Sequence, residues 1–366
     1  MMRPRATHTL AWRRVPDAPR RRIRLAVVDD SVFVRGALKR MFENDPRIHV
    51  VGCASSGEEL LYNIERWAPD AVTLDLNMPG IGGLATLNRV HADRPLLPVI
   101  VLSSAVGDGA ATTIEALRHD YVDFIDKQAL SLVDFIGMRA LLVARIEALV
   151  NGPRPAPALT PPRTQVSSIG AISVIVIGAS TGGPPAIETI LRGLGRDVPV
   201  PVVVAQHMPP GFTKAFARRL DSVLPLAVRE ATDGDALLPG LVLIAPGGYD
   251  LGLARGVSDV VVVLKPARGE ATAHPSVDHL FTSAAQVYGA AAAGVLLSGM
   301  GTDGARGLAD LHRRGAYTIV QDESTSVVYG MPRAAVALGA ASEITPLPQI
   351  SERMTALLWE CAVRDA

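Results

Sequence analysis

The sequence predicts an α/β protein of two domains, each built on a mostly parallel, doubly wound sheet. Its 366 residues suffice for two ordinary domains with separate hydrophobic cores. Short apolar runs alternate with amphipathic stretches in both halves, which is typical of parallel strands covered by helices on both faces. Between the halves, residues 151–168 carry five prolines and no apolar period, so we expect a semi-extended linker there.

The first domain is predicted to span residues 23–150. Its apolar runs predict strands at residues 23–30, 71–75, 98–104 and 121–126. Amphipathic segments predict helices at residues 31–44, 57–67, 109–119 and 131–150. Ahead of this domain, residues 1–22 are rich in arginine and proline and lack the apolar run of a secretory signal, which predicts a disordered basic arm or a start assigned too early.

The second domain is predicted to span residues 169–360. Its apolar runs predict strands at residues 172–178, 200–206, 241–247, 259–265, 294–299 and 316–321, with helices after most of them. The apolar stretch at residues 287–301 is rich in glycine and shorter than the roughly 20 residues that a membrane-spanning helix needs. We expect it to form a helix end, a turn and a buried strand.

The overall composition argues against several classes of partner. The formal net charge is zero, so nothing in the balance predicts binding to nucleic acid or to an acidic membrane, and we expect no direct membrane insertion. Cys53 and Cys361 lie in separate halves and predict neither a disulfide framework nor a metal cluster. This cysteine usage predicts a cytoplasmic protein.

Unusual polar residues gather at the predicted strand ends of the first domain. Asp29 and Asp30 end the first strand, Asp75 ends the third, Ser103 ends the fourth and Lys127 follows the fifth. Three carboxylates at one sheet edge repel one another unless a cation joins them, and Mg²⁺ favours such oxygen ligands. A compact lysine charge there is notable because the chain has 32 arginines and four lysines. The alternative is that these aspartates are solvated loop residues.

These residues belong to motifs by which residues 22–150 resemble the response-regulator receiver family. The matching motifs are Val-Val-Asp-Asp-Ser at 27–31, Leu-Asp-Leu-Asn-Met-Pro-Gly at 74–80, the serine pair at 103–104 and Asp-Phe-Ile-Asp-Lys at 123–127. The resemblance implies a flavodoxin-like (βα)5 fold, Mg²⁺ as a cofactor for phosphorylation and a histidine kinase as phosphodonor.

The resemblance also assigns roles to individual residues. It implies that Asp75 is the phosphoacceptor, that Asp30 and the Asn77 backbone carbonyl ligate Mg²⁺ with Asp29 beside them, and that Ser103 and Lys127 contact the phosphoryl group. Phe124 would be the aromatic switch residue. The chain departs from the family pattern at Gln128, where proline is usual, and at Ile81-Gly82, which replaces the usual Met-Asp.

The second domain opens with an apolar strand that runs into a glycine-rich turn carrying Ser180 and then into a helix. Such a turn displays a side chain at the sheet edge, and the helix N-terminus directs N–H groups at a developing anion. The local sequence leaves three readings open. Ser180 is a nucleophile, part of a dinucleotide or phosphate loop at residues 178–183, or the cap of a helix.

Two further strand ends favour the nucleophile. His207 and Asp303 each follow a separate apolar strand, so a parallel sheet would bring them beside Ser180 as base and orienting carboxylate. N–H groups at Thr181 and Met300 would form the oxyanion side. An α/β-hydrolase order of serine, acid and histidine would instead need an aspartate at 250 or 278 with a histidine at 279 or 312, and we expect both histidines at the surface. The histidine at 274 is expected to be a loop residue.

Residues 172–348 resemble the catalytic domain of the chemotaxis protein-glutamate methylesterases, the CheB family. The matching motifs lie at residues 177–183, 206–213, 243–248, 275–278, 299–304 and 329–333, and the last has no role that we can assign from sequence. The resemblance implies a Ser180, His207 and Asp303 triad that demethylates glutamyl methyl esters and deamidates glutamines on chemoreceptors without a cofactor. Two alternatives remain: the same esterase in a non-chemosensory receptor pathway, or a phospho-switched binding module without esterase activity.

Overall fold

Two parallel sheets organise the chain in the computed structural model, which describes residues 21–105, 108–127, 135–153, 171–257, 259–267 and 274–362. The predicted basic arm and proline-rich linker fall mostly outside these ranges, as does Gln128. In the part of the chain that the structure describes, no helix is long and apolar enough to cross a membrane.

The first sheet has five parallel strands in the order β2-β1-β3-β4-β5, which is the flavodoxin-like order. Its strands are β1 (Ile23–Val28), β2 (Ile48–Ala54), β3 (Ala71–Asp75), β4 (Val99–Ser103) and β5 (Val122–Asp126). Its helices are α1 (Val32–Phe42), α2 (Gly57–Trp67), α3 (Gly83–Asp93), α4 (Gly109–Ala116) and α5 (Phe135–Val150). The predicted fold class of the first domain is confirmed. Apolar runs do not reveal β2 because this edge strand is only partly buried.

The second sheet has seven strands, all parallel, in the order β14-β13-β12-β6-β7-β9-β8. Its strands are β6 (Val174–Ala179), β7 (Val202–Gln206), β8 (Ala227–Glu230), β9 (Leu241–Ile244), β12 (Ala292–Leu296), β13 (Tyr317–Gln321) and β14 (Glu343–Thr345). Its helices are α6 (Gly183–Leu194), α7 (Phe212–Val223), α8 (Val277–Tyr288), α9 (Ala305–Arg313), α10 (Met331–Ala337) and α11 (Leu347–Ala362). A doubly wound parallel α/β domain is confirmed here too.

Two details of the second domain differ from or extend the prediction. The strand predicted at 259–265 lies in a separate antiparallel hairpin, β10 (Tyr249–Arg255) and β11 (Val260–Pro266), that packs on α8 instead of joining the sheet. The apolar stretch at 287–301 behaves as predicted, since α8 ends, a 3₁₀ turn follows and the buried strand β12 begins.

The two domains pack against each other along β5, α4 and α5 of the first. Helix α4 lies on α7, and the Phe124 ring on β5 meets the Phe212 ring with centroids 4.6 Å apart. Val327 and Val328 share a hydrophobic cluster with residues of α5. Because β5 also ends at the acidic edge of the first sheet, one strand connects that edge to the second domain.

Candidate functional site

Three carboxylates converge at the carboxyl edge of the first sheet. Asp29 and Asp30 follow β1, Asp75 ends β3, and one oxygen from each lies within 4.8 Å of the others. Asp29 and Asp75 are buried, whereas Asp30 is exposed. The structure therefore brings together the acidic residues that the strand-end argument selects. An all-oxygen donor set with one solvent-exposed member fits Mg²⁺, which keeps several of its waters when protein-bound.

Lys127 supplies the positive charge beside these carboxylates. Its Nζ lies 2.7 Å from Asp75 Oδ2 and 2.9 Å from Asp29 Oδ2. Burial lowers the pKa of Lys127, but hydrogen bonding to Asp75 and Asp29 raises it more, so the pKa lies above its ordinary value. Burial raises the pKa of Asp29, and the Lys127 ammonium offsets part of that rise. The lysine therefore remains charged where a phosphoryl group would need it.

The remaining polar residues of this edge occupy neighbouring positions. The Asn77 N–H donates to Asp75 Oδ1 at 3.0 Å, which fixes the loop after β3. Ser103 is buried at the end of β4, one residue beyond the partner of Asp75, and its hydroxyl donates to the Gly109 carbonyl at 3.4 Å. Gly82, one of the two departures from the family pattern, has a φ of +75° before α3, a conformation that glycine adopts without strain.

Ser180 lies in the turn between β6 and α6. Its N–H donates to the Ser298 carbonyl at 3.0 Å, and its own carbonyl accepts from the Gly183 N–H at 2.8 Å and from Gln206 Nε2 at 2.9 Å. The N-cap of α6 is Gly182, with a φ of +78°, so Ser180 is not the helix cap. The side chain is half-buried and lines a small cavity that His207 also lines.

His207 and Asp303 form the second part of this site. Parallel pairing of β6 and β7 places His207 beside the serine turn, where its N–H donates to the Ala179 carbonyl at 3.0 Å. Its Nε2 lies 2.8 Å from Asp303 Oδ2. His207 Nδ1 is buried with no partner among the described residues, and no hydrogen bond from Ser180 Oγ is described. The ring is thus held by the carboxylate and leaves Nδ1 for a further partner.

Asp303 is fixed by the N-terminus of α8. It accepts hydrogen bonds from the backbone N–H groups of Val277 at 2.7 Å and Asp278 at 2.9 Å, and from the Ser276 hydroxyl at 3.2 Å. Burial raises the pKa of Asp303, but the His207 hydrogen bond and these N–H groups lower it more, so the pKa lies below its ordinary value. A carboxylate held ionised in this way can orient the histidine and stabilise its protonated form.

The two candidate oxyanion-side residues are Thr181, which follows Ser180, and Met300, which follows a glycine close to Ser180. Among the hydrogen bonds of the described residues, none is donated by the backbone N–H of Thr181 or of Met300. The loop that carries Met300 approaches the serine turn closely at Gly299. This approach requires glycine, since a Cβ at Gly299 would lie 2.8 Å from Ser180 Cβ. Both N–H groups are therefore available for a developing anion near the serine.

The alternative triad finds no support in the geometry. The described contacts of His312 are to Thr318 Oγ1 at 3.1 Å and Ser342 Oγ at 3.3 Å, and neither His312 nor His279 is hydrogen-bonded to a carboxylate there. His274 is a loop residue, as expected, but it also pairs with Asp250 Oδ1 at 2.9 Å and lines a cleft beside His207. Sequence reasoning missed this pairing because His274 lies in a loop and Asp250 lies on β10, outside the main sheet to which the strand-end argument applies.

The first domain covers the serine turn. The Thr181 hydroxyl donates to Asp123 Oδ2 at 2.7 Å, and Arg145 donates to Asp123 Oδ1 at 3.1 Å and to the Phe124 carbonyl at 2.5 Å. The cavity that remains around Ser180 is about 10 Å³, roughly the room of one water molecule. Sequence reasoning missed this role of Asp123 and Arg145, although Asp123 belongs to a quoted motif.

Comparison with known proteins identifies a family for each domain. Residues 175–354 match the family described as CheB methylesterase, and residues 25–133 match the response regulator receiver domain. The protein-glutamate methylesterase/protein-glutamine glutaminase 2 of Pseudomonas aeruginosa is 41% identical over 351 residues, which cover 94% of this chain and 98% of that protein. A protein of Symbiobacterium thermophilum that carries the same name without a number is 40% identical over 363 residues, with 94% and 99% covered.

A solved structure leads to the same family. The catalytic domain of the Thermotoga maritima CheB methylesterase superposes with a TM-score of 0.50 at 40% identity, covering 51% of this chain and 99% of that one. Together with full-length relatives at about 40% identity, this covers both domains. The chain therefore belongs to the CheB family of protein-glutamate methylesterases/protein-glutamine glutaminases and carries a response regulator receiver domain ahead of its methylesterase domain.

Proposed function

We propose that the chain hydrolyses glutamyl methyl esters on chemoreceptors through an acyl-enzyme formed on Ser180. Ser180 Oγ attacks the γ-carbonyl carbon while His207 Nδ1 accepts the hydroxyl proton, and Asp303 stabilises the resulting imidazolium. The Thr181 and Met300 N–H groups stabilise the oxyanion. The observation that carries this proposal is the His207–Asp303 hydrogen bond of 2.8 Å beside a serine turn with free N–H groups.

The tetrahedral intermediate then collapses to the acyl-enzyme, which is hydrolysed in a second step. The bond to the methoxy oxygen breaks, His207 returns its proton to that oxygen, and methanol leaves. Water activated by His207 attacks the acyl carbon, which releases the glutamate side chain and restores Ser180. A glutamine substrate would follow the same route with ammonia as the leaving group, and neither reaction would use a cofactor.

The receiver domain would control this reaction through Asp75. We assign Asp75 as the phosphoacceptor, with a histidine kinase as phosphodonor. Asp29, Asp30, Asp75 and the Asn77 carbonyl would hold Mg²⁺, which offsets charge on phosphoryl oxygens when bound. Ser103 and Lys127 would contact the phosphoryl group, and the Lys127 ion pairs with Asp75 and Asp29 support this role.

Strand β5 would transmit the signal to the active site. It carries Asp123 and Phe124, which contact the second domain, and it ends immediately before Lys127. A change in the lysine contacts on phosphorylation would therefore act on the same strand that covers Ser180. Moving a switch from 99% covered to 99% open needs about 5.5 kcal/mol of differential stabilisation. We propose the functional division as a receiver at 23–150, a linker at 151–168 and a catalytic domain at 169–360.

The test measures methanol release from methylated receptor membranes. The full chain, Ser180→Ala and Asp75→Ala are assayed with and without a small phosphodonor. We expect Ser180→Ala to lose release altogether and Asp75→Ala to keep basal release but ignore the phosphodonor. Undiminished release by Ser180→Ala would refute the nucleophile, and normal stimulation of Asp75→Ala would refute the phosphoacceptor.

A further inference from the structure

Ser298 contacts the backbone on both sides of the nucleophile. It is the second residue after β12 and is 1% exposed. Its carbonyl accepts the Ser180 N–H at 3.0 Å, and its hydroxyl lies 2.7 Å from the Thr181 carbonyl. One residue therefore holds the start and the end of the Ser180-Thr181 dipeptide.

The Ser298 hydroxyl has one hydrogen, which limits the hydrogen bonds that it can donate. A serine hydroxyl donates one hydrogen bond and accepts others. It faces the Thr181 carbonyl at 2.7 Å and the Val328 carbonyl at 3.3 Å, while it accepts from the Val328 N–H at 3.0 Å. The shorter distance assigns the hydrogen to Thr181. Ser298 thus joins the serine turn to the backbone of residue 328.

The segment that holds Ser298 is itself anchored. The Ser298 N–H donates to Gln321 Oε1 at 2.8 Å, and Gln321 Nε2 donates to the Thr325 carbonyl at 2.7 Å. The Gly299 N–H donates to the Val328 carbonyl at 3.0 Å, and its carbonyl accepts the Met331 N–H at 2.9 Å. These bonds give the motif at 329–333 a structural role, since it braces the loop that carries Met300.

We propose that Ser298 is a positioning residue, acting through its hydroxyl, for the acyl transfer. This inference rests on the proposed function. With Ser180 N–H and Thr181 C=O both held, the peptide between them has a fixed orientation, and its Thr181 N–H is directed to one place. Ser298 does not touch the reacting atoms in this scheme. Its hydroxyl sets where the nucleophile and one oxyanion donor lie, and misplacement by about 1 Å can reduce a rate by about 100-fold.

The test compares Ser298→Ala with Ser298→Thr in the full chain. We expect the alanine variant to lose about 10- to 100-fold in kcat for methanol release with little change in KM, since positioning acts on the chemical step. The threonine variant, which keeps the hydroxyl, should recover most of that loss. The pH midpoint of kcat/KM should stay at the wild-type value because Ser298 has no described contact with His207 or Asp303.

Ser283→Ala is the matched control. Ser283 is also a buried serine that accepts one backbone bond, from Leu253 at 3.0 Å, and donates one, to Leu280 at 2.8 Å, away from the site. Thermal unfolding of all variants measures their stability. The inference is overturned if Ser298→Ala keeps kcat within about threefold, if Ser283→Ala loses as much, if threonine restores nothing, or if the pH midpoint moves. Failure of the proposed function would show instead as active Ser180→Ala.

Discussion

The acidic edge of the receiver and the serine turn of the catalytic domain lie at equivalent places in their sheets but are built differently. Both use side chains that follow parallel strands. At the receiver edge, charged side chains contact one another directly, and Asp30 remains exposed to solvent. At the serine turn, backbone bonds and neighbouring loops set the geometry, and a second domain closes the cavity to about 10 Å³.

The two sites therefore differ in how accessible they are from solvent. Part of the receiver edge, at Asp30, is exposed to solvent. The catalytic site cannot admit a protein side chain until Asp123 and Phe124 move away from Thr181 and Phe212. In the proposed function, the partly exposed receiver edge would receive the signal, and the covered serine turn would be released by it.

Asp303→Asn should give the largest effect, because it breaks the catalytic site while leaving the receiver edge unchanged. Asparagine keeps the shape but can donate to His207 Nε2, which stabilises the wrong tautomer. We expect kcat for methanol release to fall by about 10³- to 10⁴-fold. Asp278→Asn is the matched control, because Asp278 accepts from the Gly307 N–H and an amide oxygen can do the same. Comparable losses in both variants would contradict the assignment of Asp303.

Chelation of divalent metal should act on the other site alone. With EDTA present, we expect a small phosphodonor to lose its entire stimulatory effect, because phosphoryl transfer to Asp75 needs the cation. Basal methanol release of the same sample should be unchanged. Excess Mg²⁺ should restore the stimulation, and a fall in basal release on chelation would show that the two sites do not differ in metal dependence.

Arg145→Ala should weaken the contact by which the first domain covers the serine turn. Arg145 donates to Asp123 and to the Phe124 carbonyl, so its loss frees the carboxylate that holds Thr181. A hydrogen bond to a charged group contributes about 1.5 to 3 kcal/mol, and we expect basal methanol release without phosphodonor to rise by about 10-fold. The measurement uses an Asp75→Ala background to exclude phosphorylation. Arg94→Ala, which removes an ion pair with Glu65 on the receiver surface, is the control and should leave the basal rate unchanged. An unchanged rate in Arg145→Ala would mean that the cover does not depend on this arginine.

Both candidate sites were accessible to sequence reasoning for one physical reason. Parallel strands end at one edge, so Asp29, Asp75, Ser180, His207 and Asp303 could be grouped without knowing the loops. The protonation and the hydrogen bonds of these residues could not be predicted from strand ends. They depend on backbone N–H groups such as those at the start of α8.

The contacts between domains were also beyond the sequence. A strand-end argument orders residues within one sheet but does not dock two sheets, so the Asp123–Thr181 hydrogen bond had no local signal. Short, partly exposed edge strands such as β8 and β14 lack the apolar runs that reveal central strands. The apolar run of β11 predicts a strand but not its partner, and this strand pairs with β10 in a hairpin outside the main sheet.

Asp45 is a carboxylate that stabilises the receiver fold and belongs to neither site. It is fully buried and accepts from the Arg47 N–H at 2.7 Å and from Arg139 Nη2 at 2.9 Å. Burial raises the pKa of Asp45, but these donors lower it more, from 3.8 to about 2. The lowered pKa stabilises the receiver by about 2 kcal/mol above pH 4, and this stabilisation is lost as the pH falls towards 2.

We expect Asp45→Asn to lower the free energy of unfolding of the receiver by about that amount at pH 7, with the deficit shrinking between pH 4 and 2. Denaturant unfolding of the full chain at pH 4 and at pH 2 measures this deficit. Basal methanol release should change less in this variant than in the other test variants. A deficit that stays constant with pH would show that the charge of Asp45 is not what stabilises the receiver.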